Sequence, residues 1–258
     1  MYSLRKKLRY SAEIAAFSLI FIITLHFFSL SSIPTGSFGS EDGGSNLNVI
    51  IDPGHGGEDG GAVSLSGMKE SEVNLDIALR TRLIMSMFGV TVTMTRDTEN
   101  INYPSEAVTV RAKKVADQKA RLDLIKSLDN AVLISIHQNY YTSAKPFGAE
   151  ALYAPTAGSE NFAINMQEIL ISALNENNYR KASKIPENIF LMNNISCPAV
   201  LVECGFLSNP AEDALLKTDE YKLKIAAAVA SGYFTSERLL KETFFGGLNE
   251  SENDFLLY

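Results

Sequence analysis

Two histidines in this chain each follow an apolar run with the composition of a buried β-strand. His55 ends the run Val-Ile-Ile-Asp-Pro-Gly-His at 49–55, and His137 ends the run Val-Leu-Ile-Ser-Ile-His at 132–137. A third histidine, His26, lies in an N-terminal apolar segment where no metal site can form. One histidine at a strand end is more often structural than a ligand, but here both remaining histidines occupy that position. Because parallel strands end at the same edge of a sheet, we expect the two imidazoles to share a site.

A glycine-rich loop surrounds the first histidine. Residues 54–61 have the sequence Gly-His-Gly-Gly-Glu-Asp-Gly-Gly, and so few side chains indicate close backbone approach to something bound. A phosphate-binding loop is the competing interpretation, but G-x-G-x-x-G would need glycine at position 59, where the chain has Asp59, and no Gly-Lys-Ser/Thr follows. Neutral imidazole is a common zinc ligand, so the loop favours a metal site that needs further ligands.

Acidic residues at two other places could complete such a site. Glu70 and Glu72 open the first predicted helix, which returns from the loop and therefore begins near His55. They differ by roughly 200° around the helix, so only one can face the metal, and both also suit a helix N-terminus for electrostatic reasons alone. Glu203 ends an apolar strand, and burying an unpaired ion costs several kcal/mol. We therefore expect Glu203 to face the same cleft, as general base for an attacking water.

Alternating strands and helices must position these residues, and the hydrophobic periodicity predicts them. The predicted strands are 49–52, 90–95, 131–136, 148–153, 189–192 and 199–203, and the predicted helices are 71–88, 110–128, 159–175 and 220–240. This alternation indicates an α/β fold: a single domain with a mostly parallel, twisted six-stranded sheet that is covered by helices on both faces. Ligands of such sheets bind at the carboxyl ends of the strands.

The N-terminus differs from this domain in composition. Residues 1–34 carry four basic residues ahead of an apolar run, which fits either an export signal peptide or a membrane anchor. In either case we expect the catalytic domain to lie outside the cytoplasm, secreted or membrane-anchored. The predicted organisation is a signal or anchor at 1–34, a linker at 35–46, the catalytic domain at 47–240 and a tail at 241–258.

The charge of the chain narrows the choice of partners. Its net charge of −7 disfavours a role in binding nucleic acid. One predicted helix nevertheless carries a basic cluster, made of Arg111, Lys113, Lys114, Lys119 and Arg121. A solvated helix face is the simpler interpretation of this cluster, and contact with an anionic glycan or a partner protein is the alternative.

Taken together, the segments resemble the zinc-dependent N-acetylmuramoyl-L-alanine amidases of the family-3 type, over residues 47 to about 240. The motifs that carry the resemblance lie at 49–57, 69–75, 94–97, 135–139, 148–150 and 202–209. The resemblance implies one Zn²⁺ per chain, held by His55, Glu70 and His137, with Glu203 as the catalytic glutamate; this selects Glu70 over Glu72.

The resemblance says less about the role of three further positions. Glu150 matches a position near the metal that is sometimes a carboxylate, which makes it a possible additional site residue. The family motif that contains Arg96 is expected to be structural. Gln138 stands where the family often has a small apolar residue, which leaves open the fine shape of the pocket.

The same resemblance implies hydrolysis of the amide between N-acetylmuramic acid and L-alanine of the peptidoglycan stem peptide. The N-terminal segment, the lack of wall-binding repeats and the stretch 111–128 look most similar to spore-cortex (germination) amidases. This subtype implies muramic-δ-lactam formation in the cortex of a spore-forming bacterium, on the forespore or cortex side. Two alternatives remain open: a non-catalytic zinc-containing wall-binding or scaffold protein, and a zinc peptidase of the stem peptide.

The resemblance also bears on regulation. Only twelve residues separate His137 from Glu150, too few for the autoinhibitory helix that large division amidases insert there. We therefore expect any control to come from an activating or regulatory protein outside the cytoplasm. If the N-terminal segment is not cleaved, the membrane is a second partner.

Overall fold

The computed structural model describes residues 47–246, and its six strands form one sheet. The strands are β1 (Asn48–Pro53), β2 (Val92–Met94), β3 (Ala131–Asn139), β4 (Glu150–Tyr153), β5 (Ser183–Lys184) and β6 (Ala199–Phe206). Their order across the sheet is β2-β1-β3-β6-β4-β5. The pairs are parallel except for β4 with β6, which is antiparallel. The prediction of a mostly parallel six-stranded sheet is confirmed.

Six helices lie within residues 47–246, four of them between strands and two after the last strand. They are α1 (Glu70–Met87), α2 (Val110–Lys126), α3 (Ser159–Leu174), α4 (Phe190–Asn194), α5 (Pro210–Leu216) and α6 (Asp219–Phe245). Side chains cap several of them: the Thr109 hydroxyl accepts a hydrogen bond from Ala112 N at the start of α2, and Thr218 does the same for Tyr221 N at the start of α6. The four long helices lie where the periodicity predicts them, within a few residues at their ends.

The predicted strand at 189–192 is wrong. This segment forms the short helix α4, and the fifth strand lies earlier in the chain, at Ser183–Lys184. A short apolar run does not distinguish a strand from a buried helical turn. Here the Asn193 amide donates to Pro186 O and Ile189 O, both at 2.8 Å, which closes the turn, while Leu191 and Met192 are buried.

Three other elements extend beyond or fall outside the prediction. Helix α5 was not predicted, although its N-cap Asn209 followed by Pro210 is a helix-start signal. Helix α6 continues to Phe245, past the predicted end at 240. Strand β3 continues through His137 to Asn139, so this histidine lies within a strand rather than after it.

Alternate residues of the central strands point to opposite faces of the sheet, where they enter two separate hydrophobic clusters. Val49, Val132 and Val200 belong to the cluster covered by α1, α3 and α6. Ile50 and Leu133 belong to the other cluster, which includes residues of α2 and α4. The prediction that helices cover both faces is therefore confirmed, and the strands read as continuous apolar runs because both faces are buried.

The predicted signal or anchor segment and the linker lie outside the described residues, as does most of the tail. None of the helices between residues 47 and 246 combines the length and the apolar composition that a membrane span requires. The proposed boundaries of the terminal segments therefore stay predictions.

The packing of α3 on α6 predicts a large loss of stability when its centre is truncated. Leu170 of α3 is fully buried in the cluster that it shares with α6, so Leu170→Ala should lower the free energy of unfolding by about 2–5 kcal/mol. Leu83→Ala is the matched control, because Leu83 lies on α1 with 63% of its surface exposed. Urea denaturation measures both variants. Equal losses in the two would contradict this assignment of the core.

Candidate active site

The three predicted metal ligands come together at one edge of the sheet. His55 follows β1, Glu70 opens α1 and His137 lies in β3, and one donor atom from each lies within 4.8 Å of the others. The Glu70 Oε1 atom is 3.3 Å from His55 Nε2 and 3.0 Å from His137 Nδ1. Strand register explains this meeting: Pro53 at the end of β1 pairs with Ile136, so the loop after β1 passes next to His137.

The Glu70 carboxylate is buried and held by three N–H groups as well as by the imidazoles. Its Oε1 accepts from Gln138 N at 3.2 Å and from the Asn74 amide at 3.4 Å, and its Oε2 accepts from Ala62 N at 3.0 Å. Burial disfavours the charged form, but hydrogen bonds and charge from His137 and His55 outweigh it and lower the pKa of Glu70 far below its usual range. Glu70 is therefore ionised and fixed in position.

Glu72 has a different environment. Its side chain is 51% exposed, and its carboxylate lies 3.6 Å from Lys69 Nζ. The helix rotation between the two residues thus separates a buried glutamate at the site from one in solvent, the distinction that the spacing alone left open.

Asp59 orients the first histidine, a role that the sequence interpretation missed. Its carboxylate accepts from His55 Nδ1 at 3.0 Å, which turns Nε2 toward Glu70, and it forms an ion pair with Lys114 at 2.8 Å. Burial opposes the charged imidazole, but Asp59 and Glu70 raise the pKa of His55 to about 9. An acid four residues after a histidine in a glycine-rich loop was the available signal.

The glycines of the loop make room for the side chains of the site itself. A Cβ at Gly54 would overlap the His137 ring, and a Cβ at Gly61 would lie 2.6 Å from Glu70 Oε2. At Gly57 it would meet the Tyr103 hydroxyl. These glycines therefore admit the imidazole, carboxylate and phenol groups that build the site, a reason for them that the sequence interpretation did not include.

Glu203 lies beside the second histidine, on the neighbouring strand β6. In the strand register it pairs with His137 of β3 on one side and with Glu150 of β4 on the other. Its Oε2 atom is buried and has no hydrogen-bond partner among residues 47–246. Burial raises the pKa of Glu203 to about 7; His137 opposes this rise, and the charges of Glu70 and Glu150 add to it. A carboxyl that titrates near neutrality can both accept and return a proton.

Glu150, the possible additional site residue, lies outside the three-donor cluster. Its Oε2 accepts a hydrogen bond from Arg180 Nη1 at 2.8 Å. Arg180 also donates to Phe147 O, and its guanidinium stacks on the Phe206 ring at 4.6 Å from the centroid. In this structure the carboxylate of Glu150 is therefore paired with the guanidinium of Arg180.

A cleft opens over the cluster. It has a volume of about 420 Å³, within the range of ~300–1,000 Å³ that is usual for small-molecule sites. One wall comes from α2, with Lys114 and Gln118, and the other from α4, with Phe190; Glu203 lines it as well. The three candidate metal ligands and the candidate base therefore line the same cleft.

The basic cluster predicted on α2 is not one surface. Arg121 is buried, so its interpretation as part of a solvated face is wrong. Lys113 forms an ion pair with Glu58 at 2.8 Å, and Lys114 forms the pair with Asp59. Three of the five cations thus contact the loop around His55 or the strand before it.

Comparisons with known proteins point to one family. A family model described as N-acetylmuramoyl-L-alanine amidase matches residues 49–233. The germination-specific N-acetylmuramoyl-L-alanine amidase of Bacillus subtilis is 36% identical over 244 residues, which cover 91% of this chain and 98% of the relative.

Two solved structures of amidases are also similar to this chain. The CwlD amidase from Clostridioides difficile, in complex with the GerS lipoprotein, matches with a TM-score of 0.72 and 31% identity, over 75% of this chain and 100% of that chain. The catalytic domain of CwlV, an N-acetylmuramoyl-L-alanine amidase from Bacillus (Paenibacillus) polymyxa, matches with a TM-score of 0.62 and 28% identity, over 74% of this chain and 97% of that chain.

The space at Gly54 predicts a selective effect on metal binding. Gly54→Ala should weaken zinc binding by at least roughly 10-fold, because the new methyl group displaces the His137 ring. Gly60→Ala is the matched control in the same loop, since its Cβ would meet only the flexible end of Lys69, at 3.3 Å. Competition with a chromophoric chelator measures both affinities. Equal zinc affinities in the two variants would show that the close packing of Gly54 against His137 does not affect metal binding.

The raised pKa of Glu203 predicts a pH-dependent gain of stability in Glu203→Gln. Folding raises this pKa from 4.5 to about 7, so above pH 7 the metal-free folded protein holds a carboxylate that is better solvated in the unfolded chain. With a chelator present, the variant should be more stable than the wild type at pH 8, and the difference should shrink as the pH falls from 7 toward 4.5. Thermal melts across this range provide the test. A variant less stable than the wild type at pH 8 would contradict it.

Proposed function

The chain belongs to the N-acetylmuramoyl-L-alanine amidase family, and from this premise we propose that His55, Glu70 and His137 bind one zinc ion and that Glu203 is the catalytic base. The activity of the protein is hydrolysis of the amide between N-acetylmuramic acid and L-alanine, its substrate is peptidoglycan, and it acts outside the cytoplasm. The observation that carries the residue assignment is the meeting of three donor atoms within 4.8 Å, in a cleft that Glu203 also lines.

The donor set fits zinc. Two imidazoles and one carboxylate are a usual set for catalytic zinc, and three protein ligands leave a position for water or substrate. The Asp59 carboxylate behind His55 is the kind of outer contact that fixes a ligand histidine. When bound, zinc would polarise the scissile carbonyl and lower the pKa of a water molecule toward ~7.

The protein's own contribution to the chemistry centres on Glu203. As water attacks the carbonyl carbon of the lactyl group, the Glu203 carboxylate accepts a proton from that water. The same carboxyl then gives the proton to the alanine nitrogen as the C–N bond breaks. The products are a free lactyl carboxyl group on the muramic acid and a stem peptide with a free L-alanine amino group. A pKa near 7 supports both halves of this transfer.

We propose that the wall involved is the spore cortex, where amide removal prepares muramic acid for muramic-δ-lactam formation. The support is the relative from Bacillus subtilis, which is named germination-specific. The match with this chain covers 98% of that relative's length. Muropeptide analysis of cortex from a strain without this protein tests the proposal. Loss of the lactam is the expected result, and an unchanged lactam content contradicts it.

A partner outside the cytoplasm is part of this proposal. The CwlD amidase was solved in complex with the GerS lipoprotein, and 75% of this chain matches that amidase. This likeness supports regulation of our chain by an extracytoplasmic protein of similar kind. Attachment to the membrane by residues 1–34 would bring the enzyme near a lipid-anchored partner.

Substitution of the proposed base separates catalysis from metal binding. Glu203→Gln should reduce turnover by about 10²- to 10⁴-fold while zinc content stays at one ion per chain, because the carboxyl moves the proton without holding the metal. Glu72→Gln is the control, since Glu72 is an exposed carboxylate on the same helix as Glu70.

Mass spectrometry of muropeptides released from purified peptidoglycan measures the reaction. Intact stem peptides that begin with L-alanine are the expected product. Cleavage between stem-peptide residues would identify a peptidase instead, and no release by the zinc-loaded wild type would favour a scaffold protein. Full activity of Glu203→Gln would remove Glu203 from the mechanism.

A further inference from the structure

Two buried arginines hold the backbone that carries the first metal ligand. We propose that Arg96 and Arg121 form a clamp that positions His55 for zinc, so that they set metal affinity without contacting metal or substrate. The inference rests on the proposed function in one respect, since it takes His55 to be a zinc ligand. The two residues reach the loop from different elements: Arg96 follows β2, and Arg121 lies on α2.

Arg121 holds the loop from the α2 side. Its Nη1 donates to Asp52 Oδ1 and to Pro53 O, both at 2.7 Å, and its Nη2 donates to His55 O at 2.6 Å. Asp117, one turn earlier on α2, accepts from the guanidinium at 2.9 Å. Because Asp52 also accepts from Ser135 and Thr95, the contact ties the loop to β3 and to the end of β2.

Arg96 holds the next carbonyl and the start of α1. Its Nε donates to Pro53 O at 3.0 Å, and its Nη2 donates to Gly54 O at 3.0 Å and to Ser71 O at 2.8 Å. The carbonyls of three successive residues, 53, 54 and 55, are therefore each bound by a guanidinium. Since Ser71 follows Glu70 directly, Arg96 also fixes the second ligand's helix relative to the first ligand's loop.

The loop needs such support because of its backbone conformation. His55 has φ of 62°, in the left-handed region, and Gly56 and Gly57 follow with φ of 132° and 56°. A non-glycine residue in this region costs on the order of 1–3 kcal/mol and persists only where its surroundings hold it there. The hydrogen bond from Arg121 to His55 O acts at that residue.

All side-chain contacts of the two guanidinium groups described here are with residues of the protein itself. A guanidinium has five donors, and those of Arg121 point to Asp52, Pro53, His55 and Asp117. Those of Arg96 point to Pro53, Gly54, Ser71, Thr98 and Glu99. Arg96 has no donor left for substrate. Arg121 borders the cleft, but its hydrogen bonds go to the loop, to Asp52 and to Asp117, so both arginines act as positioning residues. Lysine, with a point charge on a flexible stem, cannot bridge these separated acceptors.

Arg121→Lys tests the clamp, with Arg111→Lys as the matched control on the exposed side of the same helix. We expect zinc affinity, measured by chelator competition, to fall by about 10- to 100-fold in Arg121→Lys and to stay unchanged in the control. Amidase activity of Arg121→Lys should return at high zinc. Hydrogen exchange should become faster at the Gly56 and Gly57 amides, which now bond to Asp59 O and Glu99 O, while the amides of β3 stay protected.

Zinc binding by the wild type, measured in the same chelator competition, separates a failure of the proposed function from a failure of the clamp. A wild type that binds no zinc would overturn the proposed function, whereas Arg121→Lys with wild-type affinity and loop exchange would overturn the clamp alone. If Arg121→Lys does not fold, Arg96→Lys is measured by the same criteria. Unfolding of both variants, with zinc present, would also overturn the proposal, because the arginines would then be needed for the fold as a whole.

Discussion

The Glu70 carboxylate is the group on which the rest of the site depends. It is buried, and an unpaired ion in that position would cost several kcal/mol, so the fold has to bring donors to it. The donors come from three elements: an imidazole from the loop after β1, an imidazole and a backbone N–H from β3, and an amide from α1. The same contacts that make this charge tolerable also fix the carboxylate in the position that the proposed zinc ligand needs.

A second carboxylate in the same cleft has the opposite environment. Glu203 has a buried oxygen without a partner within the described residues, and burial raises its pKa, whereas the histidines lower the pKa of Glu70. Two carboxyl groups whose pKa values are driven apart in this way are suited to different tasks. The strand register that pairs His137 with Glu203 sets this arrangement, because it puts the proposed base next to a proposed ligand.

The sequence predicts the central strands, and it predicts that His55, His137 and Glu203 share one edge of the sheet, because both depend on local pattern. Glu70 is selected over Glu72 by the resemblance alone, since the spacing leaves both open. Apolar runs that end in His137 or Glu203 indicate a strand and the edge where its last side chain lies. The clamp depends on contacts between residues far apart in the chain: Arg121 binds His55 O across 66 positions. In the sequence, Arg121 is one member of a basic cluster on a predicted helix, and nothing in that pattern indicates its contact with His55. Similarly, the run at 189–192 has no periodicity to distinguish strand from helix, and only its packing decides.

X-ray absorption at the zinc edge of the zinc-loaded protein tests the central claim most directly. The account predicts one ion per chain with two imidazole nitrogens at about 2.0–2.1 Å and a carboxylate oxygen among its nearest neighbours, and loss of one imidazole signal in His137→Ala. A spectrum with sulfur ligands would assign the ion to Cys197 or Cys204, the two free cysteines among the described residues, and an unchanged spectrum in His137→Ala would place it elsewhere. Either result would contradict the site described above.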